Sequence, residues 1–140
     1  MKIPGIVELA ASALLAAASL GPSVASAHHS VVMFEPKKTM TLEGVVKEFQ
    51  YTNPHSWLQL ITTDQKGGHV EWSLEMGPSV GLFRAGWRPR LLKPGDKVTV
   101  SFHPLKNGQN GGRLVSVTLP DGRLMNGQGG RPLPQSGQAN

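Results

Sequence analysis

From Lys97 to His103 every second residue is apolar: Val98, Val100 and Phe102 alternate with polar neighbours. His69 to Glu75 repeats the pattern, setting Val70, Trp72 and Leu74 against His69, Glu71, Ser73 and Glu75. Successive side chains of a strand point to opposite faces, so a period of two predicts strands with one buried side and argues against amphipathic helix here. Ser56 to Thr63 fits the same template, with Leu58 and Leu60 on one face and Trp57, Gln59 and Ile61 on the other. Thr41 to Tyr51 is rich in β-formers, and its Gly44 predicts a bend or bulge. Arg113 to Leu119 makes a fifth strand.

Turn chemistry separates these runs. Asn53-Pro54 breaks the first from the second, and Asp64 to Gly68 reads as a hairpin loop. Lys93-Pro94-Gly95-Asp96 is a tight turn with proline at its second position. Pro104 to Gly112 is a glycine-rich loop. Between the third and fourth strands, Gly77-Pro78-Ser79 opens a short helix to about Ala85, with Val80, Leu82 and Phe83 as its apolar side and Gly86 as its stop. Three strands, a helix, then two strands predict an all-β fold: a small five-stranded OB-like Greek-key barrel over residues 41–124, with the helix between strands three and four. A small antiparallel sandwich has the same strand count.

The chain's first 27 residues have the three parts of a secretory leader. Lys2 is the basic start, Leu9 to Leu20 the apolar run, and Ala25 and Ala27 the small pair before a cut after Ala27. The expected location is therefore periplasmic or secreted, with no span of the membrane. Residues 28–40 form a lead-in. From Met125 to Asn140 the composition is Gly, Gln, Pro and Ser, which predicts a disordered tail. With no cysteine, an exported domain of this size relies on its core or a bound metal. The net charge of +5 is spread without long runs, which argues against nucleic acid as a partner.

Cleavage after Ala27 makes His28 the first residue, with His29 behind it. An N-terminal histidine chelates through its α-amine and its own ring, and a further imidazole completes a three-nitrogen site suited to Cu(II), and also to Zn(II) or Ni(II). His55, in the loop between the first two strands, and His103, at the end of the fourth, flank the ligand-binding edge of an OB-like barrel. The candidate metal set is thus His28, His29, His55 and His103. Equally, a His-His dipeptide is often just solvated, and His55 and His103 have ordinary turn and strand-end roles. Tyr51 and Trp57 are candidates for stacking a ligand, or for packing the barrel rim. Glu71 and Glu75 read as a solvated strand face. Neither a nucleophile pattern nor a phosphate loop is present.

The stretches AHHS, TLEGVVKEF, TNPHSW, EWSLEMG, LKPGDKVTV and LVSVTLPDG together resemble domain-of-unknown-function family 6152, small exported bacterial proteins, over about residues 27–124. The resemblance implies export and a compact β-rich domain, and brings no activity with it. Residues and resemblance together predict an exported binding module rather than an enzyme. Its ligand is either copper or another transition metal at the mature N-terminal histidine, or a small molecule or periplasmic protein held without metal. A copper-dependent oxidase is the least favoured of the three, because so short a chain offers no extended substrate platform.

Overall fold

A computed structural model describes residues 32–135. The expected leader, and His28 and His29 with it, lie outside the described residues. The elements are β1 (Met40–Gln50), β2 (Trp57–Thr63), β3 (His69–Glu75), α1 (Ser79–Arg84), β4 (Lys97–Pro104), β5 (Gly111–Thr118) and β6 (Leu124–Asn126). They form one sheet in the order β3-β2-β1-β4-β5-β6. A parallel pairing of Ser73–Glu75 with Gly111–Arg113 joins β3 to β5 and closes the first five strands into a barrel. The OB-like barrel and the position of its helix are as the sequence predicts, and β6 is an addition.

β1 serves two neighbours. Its first half pairs with β4, from Met40 opposite Phe102 to Val45 opposite Lys97, and its second half with β2, ending at Gln50 opposite Trp57. The strand therefore has to coil, and the irregularity that lets it do so falls between Val46 and Glu48 rather than at Gly44. Alternation then fills the interior. Leu58, Leu60, Leu74, Val100, Phe102, Leu114 and Val117 point inward and are buried. Trp87 is fully buried against Phe49, with ring centroids 5.4 Å apart. The Lys93–Asp96 turn has Gly95 at φ +93°, the value a type II turn requires at its third position.

The helix differs from its expected apolar side. Only Leu82 is buried, while Val80 and Phe83 are 57% and 55% exposed. α1 has six residues, and each is turned about 100° from the last, so one side chain alone can face the barrel squarely. It ends in a Schellman motif: Trp87 N–H donates to the Leu82 carbonyl and Gly86 N–H to that of Phe83.

The expected disordered tail is corrected at its start. Met125 is buried at 6% exposure, and the Asn126 carbonyl accepts from Trp87 Nε1 at 2.8 Å. Gln128 enters the seam where the β3–β5 pairing ends. Its Nε2 donates to the carbonyls of Leu114 at 2.6 Å and Glu75 at 3.2 Å, and its Oε1 accepts from Arg113 Nε at 2.9 Å. A Cβ at Gly77 would collide with the Gln128 carbonyl oxygen, so glycine there is what lets the segment approach. Further on, the Gln135 side chain exchanges two hydrogen bonds with the backbone of Leu124.

Candidate functional site

Cross-strand register lines up a row of polar and aromatic residues around the barrel's outer face. Gln50 lies opposite Trp57, Trp57 opposite Glu75, Glu75 opposite Arg113, and Arg113 opposite His103. Trp57, Glu75, Arg113 and His103 each neighbour inward-facing Leu58, Leu74, Leu114 or Phe102, so these four point outward. At adjacent strand spacings of about 4.8 Å, His103 and Glu75 are roughly 10 Å apart along the row.

His55 is fixed beside this row by its loop. Ser56, buried completely, exchanges hydrogen bonds with Thr52 through its hydroxyl, and the Thr52 hydroxyl donates to the His55 carbonyl at 2.7 Å. Ser56 N–H donates to Gly77 O and its carbonyl accepts from Met76 N–H, which ties the loop to the end of β3. The His55 ring consequently meets Glu75: Nδ1 is 3.3 Å from Oε1 and 3.4 Å from the Met76 carbonyl. The carboxylate is nearly enclosed, at 10% exposure, and the imidazole is 41% exposed. Glu75 is therefore not the solvated strand-face residue expected from alternation, whereas Glu71 is, pairing with Lys47 at the surface.

His103 makes the corresponding contact with a main-chain oxygen, its Nδ1 lying 2.9 Å from the Lys38 carbonyl. A carbonyl or carboxylate oxygen only accepts, so in both residues the neutral ring carries its proton on Nδ1. Among the described residues neither Nε2 has a hydrogen-bond partner, which leaves two outward lone pairs on oriented rings. That is the second-shell arrangement found behind metal-bound histidines. The two rings are anchored on different parts of the barrel, His55 at the end of β3 and His103 on the Lys38 carbonyl of the lead-in. Among the described residues no three of His, Cys, Asp or Glu come together as a ligand set.

Of the stacking candidates, Tyr51 is committed to packing. Its hydroxyl donates to the Ser79 carbonyl at 2.7 Å and its ring meets Phe49 edge-on. Trp57 is half-buried on the outer face beside Glu75. Arg113 and Gln128 have no sign in the sequence, because a parallel β3–β5 seam leaves no local signature. A groove of about 870 Å³ lies at the other end of the barrel around Val45, Ile61, Lys97 and Thr118, away from both histidines.

Fold and site together define a small closed β-barrel that presents oriented imidazoles on its outer surface. Residues 15–114 match the family described as Family of unknown function (DUF6152), and the chain belongs to that family. The match ends before β6 and Gln128, so the seam closure lies beyond the matched residues. No curated protein and no solved structure matches the chain.

Proposed function

We propose that the protein is an exported metal-binding module that takes up Cu(II) through the α-amine and ring of His28, with one imidazole of the barrel as a further ligand. The observation that carries this reading is the pair of half-sites just described. His55 and His103 each have Nδ1 held by an oxygen, which leaves Nε2 as the nitrogen free to take a metal. The lead-in favours His103 as the nearer partner. Met33 accepts a hydrogen bond from Lys106 N–H, and Phe34 bridges to Leu105, so the chain enters along the loop that continues from His103. His28 precedes Val32 by four residues, a reach of at most about 14 Å.

The test is a Cu(II) titration of the cleaved chain and of His55→Ala and His103→Ala. Copper quenches a nearby indole, and Trp57 is two residues from His55. Loss of affinity in one variant only identifies the barrel ligand. Undiminished affinity in both shows that the amino-terminal dipeptide binds alone. Saturation at about 100 times the dissociation constant raises stability by roughly 2.7 kcal/mol, and EDTA reverses it. Absence of copper binding in every form favours the second reading, a metal-free ligand- or protein-binding domain, which rests on half-exposed Trp57 beside Glu75 in the row.

A further inference from the structure

The segment from Met76 to Gly95 contains Arg84, Arg88, Arg90 and Lys93 and no acidic residue. The four cations are exposed, as are Val80 at 57% and Phe83 at 55% on α1. Arg88 lies over the Phe83 ring, its guanidinium carbon 3.9 Å from the centroid, so charge and apolar surface are in one place. Two carboxylates bound the segment, against its four cations. Glu75 is enclosed beside His55, and Asp96 accepts from the Lys93 backbone N–H at 2.9 Å. The patch therefore has a net positive field.

We infer that this segment, with exposed Val80 and Phe83 and the exposed cations Arg84, Arg88 and Arg90, docks the protein on an anionic phospholipid surface. A stable protein partner needs about 800 Å² of complementary surface on each side. Two apolar side chains on a six-residue helix offer far less. A bilayer needs no shape complementarity: its interface accepts isolated apolar groups, and its headgroups attract cations held just above them. Arg88 holds its guanidinium against the Phe83 ring, where it also donates to the carbonyls of Phe83 and Trp87, so a cation and an apolar group are presented together. Docking here is independent of metal binding. Hydrogen bonds from Ser79 N–H to Asn53 Oδ1 and from Tyr51 to Ser79 O join the helix to the His55 loop, so the docked protein would hold that loop close to the lipid.

The experiment is co-sedimentation of the full protein with phosphatidylcholine vesicles, with and without phosphatidylglycerol, over a salt series. Binding is expected only to the anionic vesicles and should weaken as salt rises. Arg84→Ala and Arg90→Ala should each reduce affinity about fivefold, the equivalent of about 1 kcal/mol per basic residue at a surface. Phe83→Ser should weaken binding with the salt slope unchanged, and Lys47→Ala, elsewhere on the barrel, should have no effect. Circular dichroism and melting confirm that each variant is folded. Equal binding to both vesicle types overturns the proposal, as does equal loss in Lys47→Ala and the arginine variants, or full affinity in Phe83→Ser. Capture on immobilised polyglutamate without vesicle binding overturns it in favour of an acidic protein partner.

Discussion

Replacing Gln128 by alanine tests the barrel's closure at one side chain. The Gln128 amide donates to two carbonyls, Leu114 O at 2.6 Å and Glu75 O at 3.2 Å, at the end of the β3–β5 pairing. Leaving a buried acceptor without a donor costs about 1–3 kcal/mol. Gln128→Ala orphans two and also frees Arg113 Nε from its 2.9 Å contact. Water entering the vacated space recovers part of this, so a net loss of about 2–4 kcal/mol is expected, against a total stability of about 5–15 kcal/mol for a small domain. Urea denaturation followed by tryptophan fluorescence measures it, since Trp87 is fully buried. With m of about 2 kcal/mol/M, the midpoint should fall by roughly 1–2 M at constant m. Gln128→Glu sharpens the test. It retains an acceptor for Arg113 but turns a carboxylate toward two carbonyl oxygens, so it should be at least as unstable as the alanine variant. Gln109→Ala, in the exposed loop where Gln109 bonds only Asn107, should lie within about 0.5 kcal/mol of wild type. If Gln128→Ala behaves like Gln109→Ala, the seam does not depend on this residue and the reasoning fails.

Removing residues 125–140 should do more than the point variant, because it also deletes buried Met125 and the carbonyl that accepts from Trp87 Nε1; far-UV and near-UV circular dichroism of the shortened chain should show lost tertiary packing, and an unchanged melting temperature would contradict this. In the turn before β6, Asp121 accepts from the backbone N–H and the guanidinium of Arg123 at 3.0 and 2.8 Å, and these bonds hold its carboxyl below the usual aspartate value. A depressed folded-state pKa adds stability at pH above the unfolded value, and that contribution disappears as pH falls through the folded one. An NMR titration should place the Asp121 midpoint below that of a model aspartate, held there first by the Arg123 backbone N–H, and see it rise part of the way in Arg123→Ala, which retains that bond; identical midpoints in wild type and variant would remove the guanidinium as a cause.

How much was legible in the sequence follows from the range of each signal. Alternation at Val98-Val100-Phe102 and Val70-Trp72-Leu74 is local, and so are the Pro94-Gly95 turn and the Gly86 stop, so strands, helix and barrel class could all be read. Gly44 marks a bend or bulge in the sequence because glycine is the usual sign of one, yet the register shift of this strand, shared by two neighbours, falls between Val46 and Glu48. The end of the fold was lost for a compositional reason. Gly127 and Gln128 look like tail residues, but a glycine backbone approaches closely and a glutamine amide substitutes for a missing strand partner. The site had the same limits. His55 and His103 could be picked out as histidines near loop ends. That Glu75 stands behind one ring, and Lys38 O behind the other, is a product of register and of the lead-in's path, neither of which is written in any short stretch.

The central claim is that a free amino group on His28 forms part of the metal site, so the most direct measurement compares Cu(II) affinity in two chains, one beginning at His28 and one with a single residue added before it. The addition turns the primary amine into an amide and breaks the chelate ring, while leaving His55, His103 and the barrel unchanged. The shorter chain should bind one Cu(II) tightly, with affinity fading at acid pH because ligand nitrogens must be deprotonated, and the extended chain should bind far more weakly. Equal affinity in the two chains would contradict the account.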